Sequence, residues 1–118
     1  MKVVHLCLAC FFPDGFSYQE NLLPKYHKDL GYDVEVIASL ESFSKDGKSI
    51  TLEPCKPYFN EYDIKVTRLE YQYNNRIGRK LKLFKGTYNA INNAKPDILF
   101  IHGLQFWDIH EVVRYLKV

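Results

Sequence analysis

Cysteine is scarce and odd in number: three in 118 residues. That excludes the closed disulfide framework that staples small secreted domains. No apolar run approaches the length of a membrane span, and the opening Val3–Leu8 segment is too short to serve as a signal peptide. An excess of one charge sign is missing too. Sixteen basic and 14 acidic side chains leave a net charge of +2, far from the signature of a dedicated nucleic-acid binder. The chain contains no G-x-G-x-x-G, no G-x-x-x-x-G-K-[ST] and no G-x-S-x-G. Those absences disfavour a nicotinamide or flavin enzyme, a P-loop nucleotide hydrolase and a serine hydrolase. The expected setting is cytoplasmic, with no nucleic-acid partner and no metal.

Cys7-Leu8-Ala9-Cys10 does satisfy C-x-x-C. A redox dithiol needs its first thiol at a helix N-terminus, where the dipole lowers its pKa. Here the pair ends a strand, several residues before the helix, and no second ligand pair stands at zinc spacing. The thiols read as structural, with a small flavodoxin-like redox protein as the alternative.

What the chain does have is apolar and aromatic mass, 47% and 15% of residues, enough for the core of one domain. Met1 to Ser39 reads as strand, loop, helix, glycine stop and strand, one βαβ unit. Ser17-Tyr18-Gln19-Glu20 fits a capping box, which aims the free N–H groups of a helix over about 18–30 at the Pro13-Asp14-Gly15 loop. That loop suits a phosphate or another anion, or is an ordinary well-capped turn. Leu22, Leu23, Tyr26 and Leu30 mark the expected apolar stripe, Pro24 a kink and Gly31 the stop.

Further on, Val34–Ala38 is the second strand, Asp46-Gly47 signals a hairpin turn, and Pro54 to Tyr62 suggests an ordered surface excursion. Ile64–Leu69 alternates as a third parallel strand and is followed by a polar-aromatic loop, Tyr71 to Asn75. Ile77, Leu81, Phe84, Tyr88 and Ile91 predict one helix over about 79–93. Arg76, Arg79, Lys80, Lys82 and Lys85 would line its other side, as a solvated face or as a contact for anionic lipid head groups or an acidic glycan. Ile98–Ile101 reads as a buried parallel strand ended by His102-Gly103. Asp108 is the expected cap of a last helix, with Glu111 at the third position and Ile109, Val112, Val113 and Leu116 as its apolar face. A sheet of order 3-2-1-4 would bring the first loop beside His102 and the Leu104 to Trp107 loop. His102 there is either a structural hydrogen bonder or a group that meets a ligand hydroxyl.

These residues carry a resemblance. The opening KVVHLCLACFFPDGFSYQENLLPKYHKDLGYDVEVIAS resembles the start of the N-terminal domain of family 4 glycosyltransferases, the retaining group with GT-B architecture. Asp63 to Leu69 resembles that family's third strand, and Lys95-Pro96-Asp97-Ile98-Leu99-Phe100-Ile101-His102-Gly103 its next strand and histidine. The resemblance implies a Rossmann-like three-layer αβα domain with a parallel sheet. It also implies sugar transfer from a nucleotide-sugar donor to a glycan or lipid-linked acceptor. By position, His102 would contact the donor sugar, and Gly15 with Asp14 the donor phosphates. Phe16, Ser17, Tyr18, Asn21, Gln105, Phe106 and Trp107 would line the acceptor side. Asp14 departs from the glycine pair common in the family. Glu53 and Glu61 match the family's Glu-x7-Glu spacing only by chance, in the wrong domain. Residues 1–118 are thus expected to form a truncated acceptor-side half, inactive alone. The nucleotide-sugar-binding domain would be absent and a sheet edge left open for self-association. A non-catalytic nucleotide- or glycan-binding module is the other reading.

Overall fold

The computed structural model describes residues 1–73 and 75–117. Asn74 of the predicted polar-aromatic loop therefore lies outside the described residues. The chain opens with β1 (Lys2–Cys7), α1 (Gln19–Asp29) and β2 (Asp33–Ala38). The two strands pair in parallel, Leu6 beside Ile37. A hairpin of β3 (Glu41–Phe43) and β4 (Ser49–Thr51) follows, turning at Gly47 with φ +81°. Then come β5 (Tyr58–Phe59), β6 (Lys65–Arg68), α2 (Arg76–Leu81), α3 (Thr87–Ala94), β7 (Ile98–Ile101) and α4 (Ile109–Leu116).

Among the described residues the main sheet has the order β5-β6-β2-β1-β7. Its β6, β2, β1 and β7 are parallel, the predicted 3-2-1-4 arrangement, and β5 adds an antiparallel edge. The protein is mixed α/β with a mostly parallel sheet. Alternation along the strands sorts the side chains. Val4, Leu6 and Ile37 pack with Ile91 and Ala94 of α3 and Val112 of α4. Cys7, Val34, Val36 and Val66 belong to a second cluster with Phe12 and Ile64.

The helix α1 ends as predicted. Gly31, at φ +94°, donates to the Lys28 carbonyl and Tyr32 to that of His27, closing a Schellman motif. Its start differs. Ser17 does not cap; the first flanking residue is Tyr18, whose N–H is accepted by Asn21 Oδ1 at 3.3 Å. Asn21 Nδ2 donates to the Pro13 carbonyl at 2.7 Å, so one amide fastens the loop and the helix start together. The buried stripe is rotated as well. Asn21 and Pro24 face inward while Leu30 is 72% exposed, because polar anchors at Asn21 and His27 orient the helix.

The predicted single helix over 79–93 is two. Lys82 at φ +58° closes α2 and Gly86 at φ +76° opens α3. Between them Phe84 drops into the core and stacks on Tyr71, ring centroids 5.1 Å apart. Ile77 is left 72% exposed. The five basic side chains consequently do not line one helix. Arg79 pairs with Glu41 and lies over the Tyr71 ring, and Lys85 pairs with Glu70.

Three further expectations are corrected. The strand β7 is parallel but lies at the sheet edge, so Ile98 and Phe100 are exposed rather than buried. Asp108 precedes α4 without capping it. Its buried carboxylate accepts instead from the Phe84 N–H at 2.8 Å and the Thr87 hydroxyl at 2.6 Å, bracing the start of α3. Only Val112 of the predicted α4 face is fully buried, and Val113 and Leu116 are exposed. No helix among the described residues is long and apolar enough to cross a membrane.

Candidate functional site

Parallel strands β1 and β7 end side by side, the His102 N–H donating to the Leu6 carbonyl at 2.9 Å. Gly103 follows at φ +87°, where an added Cβ would sit 3.2 Å from that of Ala9. Glycine thus lets the loops after β1 and β7 approach closely. Beside them opens a cleft of about 540 Å³, walled among others by Cys10, Gln19, Glu20, His102 and Gln105. A second hollow, about 480 Å³, lies along α3 and α4 away from the strand ends. The Asp108 carboxylate there is already used by Phe84 and Thr87.

His102 is the buried histidine of the cleft wall. Its Nε2 lies 2.8 Å from Nδ1 of His5, and Nε2 of His5 lies 2.8 Å from Nδ1 of His27. Nδ1 of His102 bonds to no described residue. Phe100 stacks on His5 with centroids 5.1 Å apart and covers it. Burial, then the neighbouring His102 and His27, push the His5 pKa down to about 3. Burial also lowers that of His102; Glu20 in the cleft pulls it upward and His27 adds to the lowering. The wall therefore offers a neutral imidazole, which donates from one nitrogen and accepts at the other.

The first loop is built differently from the expected phosphate site. Gly15, at φ +83°, already donates its N–H to Glu61 Oε2 at 2.8 Å. Asp14 Oδ2 accepts from the Tyr58 hydroxyl at 2.5 Å and lies 3.5 Å from Arg68 Nη2. The buried Arg68 guanidinium also donates to the carbonyls of Ser39 and Phe12, at 2.7 and 2.6 Å. Asp14 is thus an anchor of its own loop, and the anion slot at Gly15 is filled by a carboxylate of the chain.

Of the other residues singled out from sequence, Gln105 shares the cleft with His102. Phe106 is core, packed with Val4 and Leu6, and Asn21 is buried with both ends of its amide used. Neither is free to touch an acceptor. Phe16 and Tyr18 stack on each other at 5.7 Å and meet Phe43 of the hairpin; Ser17 beside them is exposed. The Trp107 side chain is exposed, and its backbone N–H donates to the Leu81 carbonyl. Neither this aromatic group nor Trp107 lines the cleft. Burial and a hydrogen bond with Cys10 push the Cys7 thiol up, opposite to what a redox dithiol requires. Among the described residues no group of three or more His, Cys, Asp or Glu side chains is placed to hold a metal.

Sequence reasoning missed Arg68, His5, His27 and Glu20. A histidine inside the apolar run of β1 was the available signal for His5. No family model, curated protein or solved structure matches the chain.

Proposed function

We propose that this chain is the acceptor-side, Rossmann-like three-layer domain of a retaining GT-B glycosyltransferase. Such an enzyme moves a sugar from a nucleotide-sugar donor to a glycan or lipid-linked acceptor. One observation carries the reading: His102 stands in a cleft at the carboxyl ends of adjacent parallel strands β1 and β7. Open α/β sheets bind ligands where the strand order switches direction, and β1, between β2 and β7, is that place here.

In this reading Nδ1 of His102 meets a hydroxyl of the donor sugar, and Gln105 stands on the acceptor side. A neutral imidazole suits a sugar hydroxyl better than a phosphate, which favours a cation. Charge developing on the departing nucleoside diphosphate must be met by preorganised donors. Glu61 holds the Gly15 N–H, so a second, donor-binding domain has to supply them, and residues 1–118 alone bind without turnover. Contact with anionic lipid at the inner membrane face falls to Arg76, Lys80 and Lys82, since Arg79 and Lys85 are paired.

Saturation-transfer NMR on the chain, with uridine, guanosine and adenosine diphosphate sugars and with neutral oligosaccharides as probes, tests the proposal. Transfer to sugar protons that is lost in His102→Ala supports it. No transfer from any probe at millimolar concentration sinks it. A second reading, a glycan-binding module without chemistry, is favoured by the carboxylate already filling the slot at Gly15. It predicts transfer to oligosaccharides and none to nucleotide sugars.

A further inference from the structure

Three histidines from three elements are joined end to end. His102, just past β7, shares a 2.8 Å hydrogen bond with His5 of β1, and His5 shares another of 2.8 Å with His27 of α1. Each such bond needs one nitrogen with a proton and one without. His5 uses Nδ1 toward His102 Nε2 and Nε2 toward His27 Nδ1. Among neutral rings only two proton arrangements then satisfy both bonds. Either all three carry the proton on Nδ1, or all three carry it on Nε2. Any mixture sets two N–H groups, or two lone pairs, against each other.

We propose that His5 and His27 are positioning residues for His102, forming a tautomer relay that decides whether its cleft-facing nitrogen donates or accepts a hydrogen bond. With the protons on Nε2, Nδ1 of His102 offers a lone pair; with the protons on Nδ1, it offers an N–H. The two states interconvert by one balanced shift. A proton from the cleft enters His102 Nδ1, the Nε2 proton of His102 passes to His5 Nδ1, and that on His5 Nε2 passes to His27 Nδ1. The proton on His27 Nε2 leaves to water through the half-buried face of α1. One proton has crossed from cleft to solvent, and no ring has held a lasting charge.

The surroundings favour such a relay over three rings acting separately. His5 has no exposed surface, and Phe100 lies against all three rings, its centroid 5.1 Å from His5, 4.9 Å from His102 and 5.8 Å from His27. A charge on the middle ring would be desolvated there, so protons have to pass it rather than stay. Among the described residues, the charged and titratable groups facing the chain of rings are few: Glu20 of α1 toward His102, and Cys10 in the wall of the same cleft. Tyr32 meets the outer ring, His27, edge-on at 6.2 Å. What His102 touches in the cleft rests on the transferase reading above; the linkage between the rings does not.

Long-range 1H–15N spectra of the whole chain, labelled at the imidazole nitrogens, read each tautomer directly, because protonated and bare ring nitrogens resonate far apart. At pH 7.5 the expected result is that His5, His102 and His27 show the same tautomer, or the same mixture. His27→Phe keeps a ring on the half-exposed helix face and removes the outer hydrogen-bond partner of His5. It is expected to shift both nitrogens of His102, two bonds of the relay away, while the backbone amide spectrum outside α1 stays in place. Opposite tautomers in His5 and His102 would overturn the relay, and so would unchanged His102 nitrogens in a folded His27→Phe protein. Because no ligand is added, failure of the transferase reading leaves this outcome untouched.

Discussion

Arg68 Nη2 lies 2.6 Å from the carbonyl oxygen of Phe12, joining β6 to the loop after β1 across 56 positions of sequence. The same guanidinium holds the Ser39 carbonyl after β2 and faces Asp14. One buried cation at the end of β6 thereby gathers the loops at the carboxyl ends of β1 and β2. It has no exposed side-chain surface, so water cannot replace any of these bonds.

Removing that side chain should be costly. Arg68→Met leaves two buried carbonyls without donors and Asp14 without its cation, and a loss of about 3–5 kcal/mol is expected for breaking such a pair. Urea unfolding measures it. Asp14→Asn keeps the carbonyl bonds and should cost clearly less.

Asp108→Ala should loosen the link between α2 and α3. The Phe84 N–H and Thr87 hydroxyl lose their shared acceptor, and about 1–3 kcal/mol follows from leaving a buried donor unpaired. Amide hydrogen exchange should speed up first in residues 84–90. Unchanged exchange there would show that the carboxylate does not brace α3.

Acid should destabilise the protein well above the range where carboxylates protonate. The His5 pKa is about 3 in the folded chain, lowered by burial and its two histidine neighbours, against about 6.5 unfolded. Below pH 6.5 the unfolded chain takes up a proton that the folded chain refuses, so stability falls as pH drops and rises as pH climbs back. Its slope approaches about 1.4 kcal/mol per pH unit for one such group. His102, lowered in the same direction, adds to it. Between pH 8 and 5 the expected loss is about 2 kcal/mol from His5, read from urea midpoints. His5→Phe should flatten that slope.

Glu61→Ala should open the slot at Gly15. With the carboxylate gone, the Gly15 N–H at φ +83° is free for another anion, and removing one facing negative charge should strengthen binding by about tenfold, equivalent to about 1.4 kcal/mol. Calorimetry with inorganic pyrophosphate checks it. Equal, weak binding by both proteins would mean the loop does not select anions.

Much of the architecture was legible because it is local. Val3 to Leu8 and Val34 to Ala38 are apolar runs, Gly31 is a stop no other residue makes as well, and Asp46-Gly47 turns the hairpin. The break between α2 and α3 was not legible. Leu81, Phe84, Tyr88 and Ile91 keep helical spacing straight through it, while the carboxylate that captures the Phe84 N–H comes from 24 residues away. The site divides the same way. His102 follows from its place after a buried-type strand, and Gly15 from its turn. Yet the partner of Gly15 lies 46 residues along the chain and that of His102 lies 97 back. Such pairings are tertiary, and no window of sequence contains them.

Backbone amide spectra of the whole chain, recorded as nucleotide sugars and neutral oligosaccharides are added, test most directly whether the cleft between β1 and β7 is where this protein meets its ligand. The expected shifts are confined to Cys10, Gln19, Glu20, His102, Gly103 and Gln105 and are absent in His102→Ala. Binding that moves the amides of Lys85 to Asn89 or of Phe16 and Tyr18 instead, with those of the cleft unmoved, would contradict it.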